Sequence, residues 1–93
     1  MLERDIIRRV VSRAKTRGIQ PIRMAMMGGV SAGWPDYLFI GTRGRSVWVE
    51  FKAPGKKPTP LQQHRIDDLR RRGQVVFVAD SVDAGIVALS SVM

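Results

Sequence analysis

Apolar residues recur along this chain at two different periods, and the changes of period mark its elements. Leu2, Ile6, Ile7, Val10, Val11 and Ala14 fall at helical spacing and Gly18 supplies a stop, so residues 2 to 17 are predicted as a helix. Ile19 to Met27 reads as a first strand, with Pro21 suited to a strand start or an edge. Two runs rich in aromatic and β-branched residues follow, Gly33 to Gly41 and Ser46 to Lys52, joined by the basic turn Thr42-Arg43-Gly44-Arg45; together they read as a β-hairpin. Thr59 as N-cap, Pro60 at the first helical position and Gln62 three residues past the cap announce a second helix that Gly73 ends. Val75 to Ala79 is a continuous apolar run and so a buried strand, after which Asp80 or Ser81 can cap a last helix containing Ala84, Ile86, Val87 and Leu89. The predicted order α-β-β-β-α-β-α describes one α/β domain over residues 1–93 with no linker or internal repeat.

Alternation along the second hairpin strand puts Val47, Val49 and Phe51 on one face and Trp48, Glu50 and Lys52 on the other. Asp36 opens the first hairpin strand, where antiparallel pairing can bring its carboxylate beside Glu50. Two acids that meet at a strand end repel each other unless a cation lies between them, and hard oxygen donors favour Mg²⁺ or Mn²⁺. With Lys52 to orient water and stabilise developing charge, such a set is suited to phosphodiester hydrolysis.

Charge strengthens that direction. Lys and Arg number 16 against 8 Asp and Glu, a formal charge of +8 on 93 residues, which points to a polyanionic partner such as DNA. The absence of cysteine excludes disulfides and thiolate zinc sites, and a single histidine excludes a His-rich metal centre. No run reaches the roughly 20 apolar residues that span a bilayer, and the first residues lack the apolar core of a signal peptide, so an intracellular protein is expected, in a bacterium or a phage-infected cell.

Pro35-Asp36 followed by Glu50-Phe51-Lys52 resembles the PD-(D/E)xK nuclease motif. Gly33-x-Pro35-Asp36, Glu50 to Gly55, the glutamine opening the next helix, and Val76-x-Val78-x-Asp80-Ser81 are similar to its VRR-NUC branch, the virus-type replication-repair nucleases. The resemblance covers nearly the whole chain. It implies a three-layer, restriction-endonuclease-like core with a mixed central sheet, and a homodimer able to make paired cuts in branched DNA such as four-way (Holliday) junctions. It further implies that Asp36, Glu50 and the Phe51 backbone carbonyl hold Mg²⁺ or Mn²⁺, that Glu3 joins them from the first helix, and that Gln62 supports the centre.

Each weaker assignment has a plain counterpart. Glu3 points towards the apolar stripe, but an acid in the first turn also complements the helix dipole. Gln62 shares a face with Ile66 and Leu69, yet it also completes the capping box, with Gln63 as the reserve. Lys56 and Lys57, in the loop after the motif strand, either grip the scissile DNA strand or decorate a solvated turn. Trp34 suits packing better than base stacking, and His64 falls on the polar side of its helix. Against the nuclease stand a non-catalytic DNA-binding module and a structural subunit of a larger replication or repair assembly; paired acids favour catalysis, because without a metal they would repel the phosphates.

Overall fold

The computed structural model describes residues 1–24 and 32–93. Its elements follow the predicted order: α1 (Glu3–Thr16), β1 (Gln20–Arg23), β2 (Tyr37–Ile40), β3 (Ser46–Phe51), α2 (Pro60–Arg71), β4 (Val76–Ala79) and α3 (Val82–Ser90). Met26, Met27 and the Gly28-Gly29-Val30-Ser31 part of the glycine-rich loop lie outside the described residues. Pro21 sits in β1 at the edge of the sheet, where a missing backbone donor disturbs only one ladder.

The sheet runs β1-β2-β3-β4. The β1–β2 and β2–β3 pairs are antiparallel, whereas β3 and β4 are parallel because α2 carries the chain back across the sheet. The hairpin turn is closed by a hydrogen bond from the Arg45 N–H to the Thr42 carbonyl at 3.2 Å, with Arg43 at a φ of 61°.

Helices cover both faces. On one, Ile6, Val10 and Ala14 of α1 and Ala88 and Leu89 of α3 pack on Phe39, Val47, Val49, Phe51 and Ala79. Gly85 of α3 permits this close approach, since a Cβ there would collide with the Val10 side chain. On the other face Ile66 and Leu69 of α2 close over Val76, Val78, Trp48 and Trp34. Helix α1 is buried along Ile6, Val10 and Ala14; Glu3 shares that face at about 100° per residue but, as the first helical residue, is only half-buried.

Two caps follow the sequence expectation. The Thr59 hydroxyl accepts from the Gln62 N–H at 3.2 Å, and the Gln62 side-chain oxygen accepts from the Thr59 N–H at 2.9 Å. Of Asp80 and Ser81, it is Ser81 that caps α3, accepting from the Ala84 N–H at 3.0 Å. Asp80 instead accepts from the Gly55 N–H at 3.2 Å, tying the loop after β3 to the end of β4. Among the described residues no helix is long and apolar enough to cross a membrane.

Candidate active site

The hairpin register decides the site. Tyr37 pairs with Val49, so one step further Asp36 lies across from Glu50. Gly33, at a φ of 78°, brings the approach to Pro35 and Asp36 against α2: a Cβ there would lie 2.7 Å from the Leu61 side chain. The Asp36 carboxylate then accepts from the Phe51 N–H at 2.8 Å, and its backbone carbonyl accepts from the Met24 N–H at the same distance. Glu50 is 1% exposed, with Oε2 at 3.6 Å from the Lys52 ammonium. The Lys52 backbone is pinned to the Ala79 carbonyl at 2.9 Å. Asp36, Glu50 and Lys52 are therefore one cluster.

Its electrostatics are unfavourable as it stands. Burial, reinforced by the neighbouring Asp36 carboxylate, pushes Glu50 up to about 8, and Lys52 offsets only part of this. Asp36 is also raised by burial, against the opposing pull of the Phe51 N–H and Lys52. The second Glu50 oxygen, Oε1, is buried without a hydrogen-bond partner. A buried acid with an unpartnered oxygen beside a second carboxylate suits a divalent cation: the donors are hard, and Mg²⁺ commonly binds through one or two carboxylates while keeping several waters. Backbone N–H and C=O of one strand residue leave on the same edge, so the Phe51 carbonyl points to the side on which its N–H meets Asp36.

The other predicted residues take different positions. Glu3 lines a cavity of about 580 Å³ that Asp36 also borders, but among the described residues no three acidic, histidine or cysteine side chains are grouped closely enough to hold a metal ion. Gln62 is half-buried, and its side-chain oxygen is taken by the Thr59 cap. Gln63 is exposed and bonds Asp67 at 2.9 Å. Lys56 and Lys57 are exposed on the loop after β3, in which the Lys56 N–H closes a turn on Ala53 at 3.0 Å. His64 is exposed. Trp34 packs against Trp48 at 5.8 Å between ring centroids, with the Arg65 guanidinium 5.4 Å from the Trp34 ring.

Two residues escaped the sequence reading. Arg23, exposed at the end of β1, faces the same cavity as Asp36 and carries a charge that is felt there. Its pairing with Tyr37 would have signalled this, but only once the β1 register was known. Asp80 appeared as a possible cap and within the Val76 to Ser81 run, but nothing local distinguishes a capping acid from one that reaches back 25 positions to Gly55.

A mixed sheet between helical layers, with two acids and a lysine gathered at the end of its hairpin, is the three-layer α/β architecture expected from the sequence. No protein-family model matches the chain. Among solved structures it is similar to one described as a VRR_NUC domain, with a TM-score of 0.82, 28% identity, and coverage of 95% of this chain and 94% of that one. A second, described as a VRR_NUC domain protein, has a TM-score of 0.78 at 24% identity, over 99% of this chain and 88% of that one. In sequence, the chain is 45% identical over 51 residues to p44 of Acyrthosiphon pisum secondary endosymbiont phage 1, a protein named as a candidate nuclease. That match spans 55% of the chain and 55% of p44, about half the length of the curated relative. The chain has the VRR-NUC fold over nearly its whole length, as the order of its motifs suggested.

Proposed function

We propose that this chain is a Mg²⁺- or Mn²⁺-dependent DNA endonuclease. One observation carries the reading: Asp36, just before β2, meets Glu50 of β3 at one point, where the buried Glu50 keeps an oxygen with no partner. A bound divalent ion would supply an activated water and neutralise charge on the phosphate. Asp36, oriented by the Phe51 N–H, and Glu50, released from its proton, would hold the ion together with the Phe51 carbonyl. Lys52, adjacent to Glu50, would position the attacking water and stabilise charge gathering on the pentavalent phosphate. Glu3 would approach from α1 across the shared cavity, and Gln62 would reach the centre by leaving its cap. Lys56 and Lys57 would grip the scissile strand from their loop. The similarity to VRR_NUC domains and to p44 supports the nuclease class.

The preferred substrate is proposed to be branched DNA, including four-way junctions, cut by a homodimer with two such sites. The sequence resemblance supports this finer reading, as do the exposed Ile22 and Ile40, which share the α2 side of the sheet with Leu38 by strand alternation. A non-catalytic DNA-binding module is the second reading: the formal charge of +8 suits binding with or without cleavage, and among the described residues no third acid joins Asp36 and Glu50.

Cleavage of linear, flap and four-way-junction DNAs with Mg²⁺ or Mn²⁺ tests the proposal. Asp36→Ala, Glu50→Gln and Lys52→Ala should each lose about a hundredfold or more in rate, the scale of removing a metal ligand or transition-state stabiliser. Metal-dependent cutting that survives Asp36→Ala would overturn the site. A wild type that binds all the DNAs and cuts none would favour the binding module.

A further inference from the structure

We infer that the groove between α1 and β1 carries the phosphodiester backbone of the DNA strand that runs into the Asp36–Glu50 centre, with Arg23 at the junction and Arg8, Ser12 and Lys15 along the track. The inference rests on the nuclease reading and adds to it a path for the substrate. The groove is the cavity of about 580 Å³ that Asp36 borders. Arg4, Arg8, Ser12 and Lys15 recur at spacings of four, four and three on α1, so they form one flank of the helix. Arg23 joins them from a different element, and a solvated helical face gives no reason for a cation to stand across the groove.

The charges are also ordered. Glu3 and Asp36 lie at the end of the groove that meets the proposed metal centre, whereas Lys15 lines its other end, near the start of β1. Phosphates would therefore meet cations along the track and acids only where a divalent ion is proposed. Among the described residues Arg4, Lys15 and Arg23 form no salt bridge, while Arg8 has an exposed pair with Asp5 at 3.3 Å, weak enough to exchange for a phosphate. From Glu3 to Lys15 the helix rises ~18 Å at about 1.5 Å per residue.

The test separates binding from cutting. In the Glu50→Gln background without metal, binding of fluorescent DNA is followed between about 50 and 200 mM salt. Adding Arg8→Ala and Lys15→Ala together should weaken binding and flatten the log K against log salt slope by about two, roughly one per lost phosphate contact. Both sites are exposed and alanine favours helix, so an unchanged circular dichroism spectrum should accompany the loss. Arg43→Asn, at the hairpin turn opposite the site, should leave affinity and cleavage nearly unchanged.

With otherwise wild-type protein and Mg²⁺, the Arg8→Ala/Lys15→Ala variant should raise KM several-fold more than it lowers kcat. Methylphosphonates that neutralise the backbone on one side only of the scissile bond should reproduce the loss and fail to add to that variant. An unchanged salt slope in the double variant, or an equal change from Arg43→Asn, overturns the groove. If wild type cuts and the slope does not move, the groove alone falls. If the slope moves but no DNA is cut, the groove stands as a binding surface and the nuclease reading falls.

Discussion

The two faces of β3 answer different demands on the same six residues. Towards α1 and α3, Val47, Val49 and Phe51 are completely buried among apolar neighbours. Towards α2, Trp48 finds both packing and a hydrogen bond, its indole N–H donating to the Gln74 side-chain oxygen at 3.0 Å. Glu50 on that same face is just as buried as its neighbours, yet it keeps a partnerless oxygen and a proton it would lose in water. One side of the strand is thus optimised for burial, and the other holds an acid that the fold alone does not satisfy. Adjacent residues can therefore be separated experimentally, one by stability and the other by chemistry.

The largest effect expected from this contrast is on the apolar side. Phe51→Ala should cost about 3–5 kcal/mol in denaturant unfolding, the range for removing a large buried aromatic, while leaving its backbone carbonyl in place. A loss below about 1 kcal/mol would mean that this face is not the core. Metal should act on the polar side: at 100 times its dissociation constant, Mg²⁺ or Mn²⁺ should stabilise the wild type by about 2.7 kcal/mol. Thermal melts with and without a chelator measure this, and the shift should shrink sharply in Asp36→Ala and Glu50→Gln. Equal shifts in all three proteins would place the ion elsewhere.

The pH dependence has a definite sign. Glu50 is raised from 4.5 to about 8, so between those values the metal-free folded chain retains a proton that the unfolded chain releases. Its contribution should make the protein less stable as pH rises through that window, with no further change above it. Asp36, raised in the same direction, adds with the same sign. Glu50→Gln should flatten the slope in metal-free unfolding curves at several pH values. The smallest effect belongs to Gln62→Ala, which removes one half of the Thr59 cap and should cost about 0.5–1 kcal/mol. A hundredfold loss of cleavage with so small a stability change would assign it to the active centre, whereas unchanged cleavage would leave it a cap.

Much of this contrast was legible before any coordinates. Alternation alone separates Val47, Val49 and Phe51 from Trp48, Glu50 and Lys52, because the side-chain period of a strand is local. The Thr59–Gln62 box was legible for the same reason, as both partners lie within one helical turn. Glu3 was legible in direction only: the helical stripe it shares was visible, but how deeply the first turn of α1 is covered, which leaves Glu3 half-buried, is set by packing. Strand β1 is Gln20–Arg23, and the last part of the strand expected to run to Met27 lies outside the described residues.

The sequence by itself determined the hairpin, its two faces, the cap that starts the second helix, and which acids and lysine could act together. Tertiary structure decided what those residues meet: Asp36 on the Phe51 amide, Asp80 on Gly55 instead of on a helix end, and Arg23 across a groove from α1. The physical reason is range. Periodicity and capping are set by neighbours within a turn or a strand, whereas an unpartnered Glu50 oxygen and a groove between a helix and an edge strand exist only after the layers have packed.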